Sequence, residues 1–302
     1  MILVTGAAGN IGHALVDVLV EEGADVRAVI LPDMPNANEG RFRPPNIAQS
    51  SRFPSQVNVV SGDLARPESI PNLFDDIDEL FINPRAVGAT IESLLVEAKK
   101  HGVRRVVTLS ASNVDEDSAL QPSRYNGDRN KEVERAVMES GMEWSALRSS
   151  YYAINTIGMW VPQIKAGNIV RGPYAAWENT PLHEKDVAAV AAKALLTDII
   201  LGQRPIITGP ESLTQREMVE MIGRVIGRPL TYEEVPLEVA RRGILQNGFS
   251  EAFVDAFLAL MAREAGKPGF LSNEIEKILG RPAHTYAEWV ADHKTDFTGN
   301  EA

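Results

Sequence analysis

The chain has no cysteine among its 302 residues. That single absence excludes disulfides, thiolate metal sites and a cysteine nucleophile. Histidine is scarce too: His13, His101, His183, His284 and His293 make no pair at the helical spacing of metal ligands. His183-Glu184 begins like a zinc-protease helix, but the second histidine of that motif is missing. No metal is expected. No run reaches the roughly 18 apolar residues of a membrane span, and the sequence opens on a strand pattern rather than a basic leader. The expectation is a cytoplasmic protein without a membrane partner. Positive charge is in deficit, with 30 Lys and Arg against 41 Asp and Glu and a net charge of −11. A phosphate backbone needs a basic surface, so nucleic acid is not the expected partner.

What is present is the composition of a globular chain, 44% hydrophobic and 24% charged. Its length suits one large α/β domain or a domain with a smaller lobe. The organising stretch is Met1-Ile-Leu-Val-Thr5-Gly6-Ala-Ala8-Gly9-Asn10-Ile11-Gly12. A short apolar run stops at a glycine-punctuated turn. The apolar positions Ile11, Leu15, Val18 and Leu19 then fall on one helical face running to about Gly23. Strand, tight glycine turn and helix are the parts of a phosphate-binding βα unit. Gly6 permits the sharp turn, Gly9 lets backbone approach a pyrophosphate, and Gly12 lets the helix pack closely on the sheet. The helix N-terminus offers unpaired N–H groups to the phosphates. A second strand, Asp25 to Ile30, follows at the spacing the dinucleotide motif requires.

Further along, Leu31 to Pro45 is turn-rich. Strands are expected at Val57–Ser61, Asp78–Asn83, Val103–Ser110 and Glu143–Leu147. Helices are expected from Ile91 to His101 and from Lys131 to Ser140. Strands alternating with helices imply an α/β fold, a Rossmann-type doubly wound parallel sheet, over residues 1–150. Past Arg148 the alternation weakens. Tyr151 to Lys165 reads as a helix or helical loop, Asp186 to Leu196 as a helix, and Pro205 to Thr208 as a strand returning to the sheet. Residues 151–302 read as a smaller, mostly helical substrate lobe that is discontinuous, with the segment around 180–210 rejoining the first domain. Thr214-x-x-Glu217 and Thr285-x-x-Glu288 have the spacing of capping boxes, and Phe253, Phe257, Leu260 and Met261 form an apolar face.

Several of these patterns occur together and in order: Thr5-Gly-Ala-Ala-Gly-Asn-Ile-Gly12, Gly62-Asp63-Leu64, Gly102-Val-Arg-Arg-Val-Val-Thr-Leu-Ser110, Lys131-Glu-Val-Glu-Arg135 and Ser140-Gly-Met-Glu-Trp-Ser-Ala-Leu-Arg148. In this the chain resembles atypical short-chain dehydrogenases/reductases of the NmrA-like group. That group includes NADPH-dependent quinone, azo-dye and triphenylmethane reductases, and fungal regulators that bind the dinucleotide without known turnover. The resemblance implies that Gly6 through Gly12 hold the pyrophosphate. It implies that Asp63 and Leu64 border the adenine, although the same residues also fit a plain strand-end turn. Asn83, Pro84 and Arg85 lie where the fourth strand ends, the edge where ligands bind in such sheets; Arg85 suits a phosphate contact or a solvated position. Ser110 and Ser112 close the fifth strand, near the expected nicotinamide ribose or as caps of the next turn.

Two departures from the group's pattern bear on the chemistry. NADP-using members commonly carry an arginine just after the second strand; here Leu31 stands there, followed by Pro32 and Asp33. A carboxylate at that edge suits the ribose diol of NAD, whereas Arg41 and Arg43 in the following loop suit the 2′-phosphate of NADP. NADP(H) is the expected cofactor, with NAD(H) the alternative. The second departure is the Tyr and Lys dyad of carbonyl-reducing members, four residues apart. Four residues after Tyr125 stands Arg129, and the lysine, Lys131, is two further on; aligning on Glu134-Arg135 instead puts Asn126 and Asn130 in the dyad places. Tyr125 and Lys131 are the candidates for the dyad's role, with a structural or substrate-lining place for Tyr125 as the other reading.

Arg148-Ser-Ser-Tyr151-Tyr152-Ala-Ile-Asn155 crosses into the lobe. Tyr151, Tyr152, Asn155 and Trp160 are candidates for a cleft wall against a flat apolar acceptor, or for ordinary core aromatics. The functional expectation is an NAD(P)H-dependent oxidoreductase passing hydride to a small aromatic or quinone-like acceptor, as a monomer or homodimer. The alternatives are a dinucleotide-binding redox-sensing regulator and, behind it, an epimerase or isomerase on the same fold.

Overall fold

Seven strands, every one parallel to its neighbours, make the frame of the molecule. The computed structural model describes residues 1–31, 53–66 and 70–299. The strands of this sheet are β1 (Ile2–Val4), β2 (Val26–Ile30), β3 (Asn58–Ser61), β4 (Glu79–Ile82), β5 (Arg105–Ala111), β6 (Glu143–Ser149) and β9 (Ile206–Ile207). They lie in the order β3-β2-β1-β4-β5-β6-β9. The chain therefore builds outward from β1 in one direction and then returns to build outward from β4 in the other. Between β1 and β4 the order reverses, and such a reversal opens a crevice at the carboxyl ends of the strands.

The sheet is covered on both faces, which is why β5 is buried through six consecutive residues. One face carries α1 (Asn10–Glu21), α6 (Glu184–Leu196) and α10 (Glu274–Leu279) around a core that includes Val4, Leu15, Phe81 and Ala191. The other carries α3 (Ile91–Lys100) and α4 (Asn130–Glu139) around Leu3, Leu80, Leu94 and Val137. The short α2 (Pro84–Val87) lies between β4 and α3. The strand expected at Pro205–Thr208 does rejoin the frame: β9 pairs with β6, and α6 packs along α1.

The remaining elements form the lobe. They are α5 (Asn155–Ala166), β7 (Ile169–Gly172), β8 (Glu178–Asn179), β10 (Leu213–Thr214), α7 (Gln215–Ile226), β11 (Thr231–Glu234), α8 (Leu237–Gln246), α9 (Glu251–Glu264), α11 (Tyr286–Asp292) and α12 (Lys294–Thr298). The lobe is thus less purely helical than its sequence suggests, since β7 and β11 pair in parallel and β8 and β10 pair antiparallel. These strands are two to four residues long, too short to leave a period-two pattern. Both expected capping boxes are present, Thr214 with Glu217 and Thr285 with Glu288. Trp160, Tyr232, Tyr286 and Trp289 fill the lobe core.

A charged latch fastens the last helices to the frame. Asp186, fully buried in the first turn of α6, accepts from the backbone and Nδ1 of His284 and from Arg281. Glu184 accepts from Trp289 Nε1 at 2.9 Å and lies 2.8 Å from His293 Nε2. Burial pushes the Glu184 carboxyl up, but the hydrogen bonds from His183 and His293 outweigh it and hold the group far below the carboxylate range. Burial pulls the His293 imidazolium down, and Glu184 more than reverses that.

Candidate active site

At the crevice between β1 and β4 the backbone is arranged around glycines. Gly6, two residues past the end of β1, has φ of +63°, a conformation that side chains with a Cβ rarely adopt. Its carbonyl accepts from Gly9 N–H at 3.0 Å, which closes the turn. A Cβ on Gly12 would stand 2.3 Å from the Gly6 carbonyl oxygen and 2.9 Å from Ala7 Cα. Gly12 is therefore required by contact between the helix and its own glycine turn. The sequence motif suggests close packing on the sheet, and the contact found is nearer still.

α1 begins at this turn with Gly9 as N-cap, no side chain capping it and no acid in its first turn. Its first N–H groups thus have no side-chain acceptor, and the helix dipole is not offset by a carboxylate. Anions bind at helix starts of this kind. Ala8, Asn10 and Ile11, which the sequence placed in the same cradle, are all partly exposed around it. The turn is tied to β4 by Asn83, whose N–H donates to Thr5 Oγ1 at 2.8 Å. Asn83 also packs against Gly6, close enough that a Cβ there would lie 3.1 Å from its own. Thr5 is fully buried and serves this junction; its sequence signal is only its place before Gly6.

Around this cradle the candidate residues separate. Asp63 follows β3 and accepts from Ala65 N–H at 2.9 Å, the geometry of a strand-end turn. Leu64 is 2% exposed and packs among Ile70, Leu73 and Phe74, so it supports that edge from inside. Leu31 is exposed at the end of β2, whereas Pro32, Asp33, Arg41 and Arg43 lie outside the described residues. Pro84 is the first residue of α2, which Asn83 caps by accepting from Arg85 N–H. Arg85 is neither free nor solvated alone: it forms a two-pronged ion pair with Asp128, at 2.8 and 3.2 Å.

The Ser110 hydroxyl donates to Glu134 Oε2 at 2.5 Å in the interior. Glu134 is 4% exposed and also accepts from Arg148, which reaches on to Asp115. Burial pushes the Glu134 carboxyl up, but Arg148 and Ser110 outweigh it, so it stays ionised. Ser110 is thereby committed to a buried network joining β5, α4 and β6. Ser112 remains as the exposed hydroxyl of the two, its own N–H bound to the Ser149 carbonyl.

Tyr125 is 41% exposed on a single-turn helix, Pro122–Asn126, and α9 packs across that turn. Lys131 is exposed in the first turn of α4. The structure forms no hydrogen bond between them, and neither makes one to any other described residue. Tyr125 and Lys131 are therefore not a directly hydrogen-bonded pair. Tyr152 follows β6 and bridges to Leu182. Burial pushes its phenol up to about 12, with Asp128 adding to the rise and Arg85 opposing it. Arg85, Asp128 and Tyr152 thus share one neighbourhood at the carboxyl ends of β4 and β6.

Tyr151 turns the other way, into an aromatic cluster. Its ring meets Trp177 edge-on at 6.0 Å, and Trp177 meets Phe257 of α9 edge-on at 5.7 Å. Phe257 stacks on Phe253 and Phe253 on Phe249, at 5.7 and 4.5 Å. Burial raises the Tyr151 phenol well above its ordinary value, so it is a neutral hydroxyl across physiological pH. Asn155 is exposed at the start of α5. Trp160 is 2% exposed with its ring edge-on to Tyr232, which puts it in the lobe core behind the cluster and away from the cleft surface. Asp128, Trp177 and Phe257 carry much of this geometry. Phe257 was visible as an apolar helix position, while Asp128 and Trp177 carry no motif.

The sequence model of the NmrA-like family matches residues 1–289. The chain belongs to that family. It is 29% identical over 299 residues to (4-alkanoyl-5-oxo-2,5-dihydrofuran-3-yl)methyl phosphate reductase of Streptomyces griseus, covering 98% of this chain and 99% of the relative. It is 28% identical over 303 residues to NAD(P)H azoreductase of Xenophilus azovorans, with the same coverage. Its fold is that of an NADPH-dependent quinone oxidoreductase from Escherichia coli solved in complex with NADPH. The TM-score is 0.75 at 20% identity, over 97% of this chain and 100% of that one. No helix among the described residues is long and apolar enough to cross a membrane, and no group of them has the makings of a metal site.

Proposed function

We propose that the protein is an NAD(P)H-dependent reductase of small planar aromatic or quinone-like acceptors. The observation that carries this is the uncapped start of α1 above a glycine turn too tight for any Cβ at Gly12. The cradle fits a nicotinamide dinucleotide: Gly6 to Gly12 would hold the pyrophosphate by main-chain N–H groups, Asp63 would border the adenine, and Asn83 and Ser112 would flank the nicotinamide end. Bound there, the reduced cofactor would supply a hydride, one hydrogen with both electrons, which with one further proton from water converts a quinone to its hydroquinone. NADP(H) is favoured and NAD(H) possible, in keeping with the names of the azoreductase and quinone oxidoreductase relatives.

The chain's own contribution is chiefly orientation. Tyr151, partly exposed, would hold a flat acceptor by stacking, backed by the buried rings of Trp177 and Phe257. Tyr125 and Lys131 do not form a proton relay, which suits acceptors whose reduced oxygen is a weak base and can be protonated by water. Tyr125 acts in this reading as part of the wall beneath α9.

The test is steady-state oxidation of NADPH and of NADH against 1,4-naphthoquinone, 1,2-naphthoquinone and an azo dye, followed at the reduced-nicotinamide absorbance band. Turnover with at least one acceptor, and a preference for NADPH, is expected. Saturable cofactor binding with no turnover on any of them would instead support a redox-sensing regulator.

A further inference from the structure

Burial raises the phenols of Tyr151, Tyr152, Tyr232 and Tyr286. Three of these hydroxyls are taken: Tyr151 donates to Met159 Sδ, Tyr232 to the Pro173 carbonyl and Tyr286 to Thr156 Oγ1. Tyr152 donates to no described residue. Beside its hydroxyl stands Ser149 Oγ, close enough to favour the ionised phenol. Ser149 is 4% exposed, and its Oγ has no partner of hydrogen-bonding geometry. A buried hydroxyl left unmade is costly, and native interiors hold few of them. Two neighbouring hydroxyls with no bond closed between them mark a place for a third polar atom.

The fold puts this pair at the carboxyl edge of the sheet. Ser149 is the last residue of β6, in register with Ala111 of β5, and its carbonyl accepts from Ser112 N–H at 2.9 Å. Tyr152, three residues on, stands at the same edge as Ser112 and Asn83. Its backbone is clamped on both sides: Leu182 N–H donates to the Tyr151 carbonyl at 2.8 Å and Ala153 N–H to the Leu182 carbonyl at 3.0 Å. Its ring rests on the core of the sheet face that carries α1 and α6. Tyr152 stays partly exposed, yet burial pushes its phenol up to about 12. A side chain that its surroundings desolvate while solvent still touches it lies at the floor of a recess, where a ligand can reach it.

We infer that Tyr152 is the hydrogen-bond donor to the acceptor oxygen that gains negative charge, with Ser149 as the residue that positions its hydroxyl. This deepens the reductase reading above and rests on it. Hydride transfer to a quinone gives the hydroquinone monoanion, its negative charge on oxygen; one proton from water then completes the hydroquinone. An O–H aimed at that oxygen stabilises the anion more than the neutral quinone, because a charged acceptor makes the stronger hydrogen bond. The Tyr152 proton stays on its own oxygen, since the phenol is held above its ordinary 10. Ser149 Oγ donates to the phenol oxygen while Tyr152 donates onward, which uses both unmade bonds. Tyr151, turned toward the lobe, is left to the body of the acceptor.

The experiment compares wild type, Tyr152→Phe and Ser149→Ala, each with NADPH and two acceptors. One is 1,4-naphthoquinone, which becomes an oxyanion on taking hydride; the other is a cationic triphenylmethane dye, which becomes neutral. Tyr152→Phe is expected to lower kcat/KM for the quinone relative to the dye by about tenfold or more. Its NADPH affinity in calorimetry is expected to stay within about twofold and its melting temperature within about 2 °C. Ser149→Ala is expected to lower the same ratio by about threefold. A second readout needs no turnover: 4-nitrophenol, whose anion is coloured, is titrated into the protein with NADP+ on both sides of its own pKa. Wild type is expected to bind the phenolate about tenfold or more tighter than the neutral phenol, and Tyr152→Phe to lose that preference. Equal loss on both acceptors, or a loss traced to NADPH binding, would overturn the inference, Tyr152 then serving the fold or the cofactor. If wild type reduces both acceptors and the ratio does not move, the inference falls and the reductase reading stands. If wild type reduces neither, the reductase reading falls; in that case, or if it reduces only one, the phenolate preference decides whether Tyr152 is a donor to an oxyanion.

Discussion

The two sides of the proposed site are built by different means. The nucleotide side is main chain: the Gly6 turn, the open start of α1, and the Asn83–Thr5 tie that fixes them. It comes from segments next to strands β1 and β4, adjacent in the sheet. The proposed acceptor side is side chain: Tyr151 after β6, backed by Trp177 before β8 and Phe257 on α9. A main-chain cradle tolerates no added atom, because the backbone itself is the ligand. A side-chain wall can change its rings one at a time and keep its frame. One family can therefore keep a cofactor and vary an acceptor.

Removing what both sides stand on gives the largest expected effect. Glu134 joins β5, α4 and β6 through Ser110 and Arg148. Glu134→Ala leaves the nearly buried Arg148 guanidinium without its main partner and is expected to destabilise the fold by about 3–5 kcal/mol, read in urea unfolding. Next, Gly12→Ala forces a methyl against the Gly6 carbonyl. An overpacking cost of about 1–3 kcal/mol is expected to weaken NADPH by roughly ten- to a hundredfold in calorimetry, with far-UV dichroism unchanged. Trp177→Leu acts on the other wall alone. It is expected to raise KM for planar acceptors about three- to tenfold, from a stacking loss of about 0.5–1.5 kcal/mol, with NADPH affinity within twofold.

A smaller effect tests the latch that holds the tail helices on α6. The His293 imidazolium has a folded pKa raised above its ordinary 6.5. Its contribution is therefore complete below that value and lost as pH rises through the folded one. Glu184 has a folded pKa depressed below its ordinary 4.5, so its contribution is present above that value and lost only as pH falls through the folded one. The melting-temperature difference between wild type and His293→Gln is expected to be greatest below the ordinary histidine value of 6.5, about 1–2 °C, and to shrink as pH rises through the raised folded value. Tyr125→Phe is expected to be the mildest change, below about threefold in kcat, since Tyr125 is not hydrogen-bonded to a lysine or to any described residue. A tenfold loss there would restore the proton-donor role.

The contrast between the walls also explains what could be read from residues alone. β1, the glycine turn and α1 were legible because apolar periodicity and three glycines leave a linear signature. Six strands and the return of β9 were legible for the same reason, within a residue or two at their ends. Ser110 was placed at the right strand end, but its hydroxyl is claimed by Glu134, a partner 24 residues away that no local pattern marks. Arg85 and Asp128 are likewise a pair across 43 residues. Trp160 packs in the lobe core against Tyr232, and the ring that meets Tyr151 is Trp177, which no local pattern marks. Side-chain walls assembled across the chain are decided by tertiary packing, and packing is what a one-dimensional pattern lacks.

The most direct test is an anaerobic single turnover with NADPH deuterated at the transferring position of the nicotinamide and 1,4-naphthoquinone in excess. The expected result is one equivalent of NADPH oxidised per site, slower with deuterium than with hydrogen, and strongly impaired in Gly12→Ala. Oxidation that is insensitive to deuterium and equally fast in Gly12→Ala would contradict a reductase in which the glycine turn positions the hydride donor against the aromatic wall.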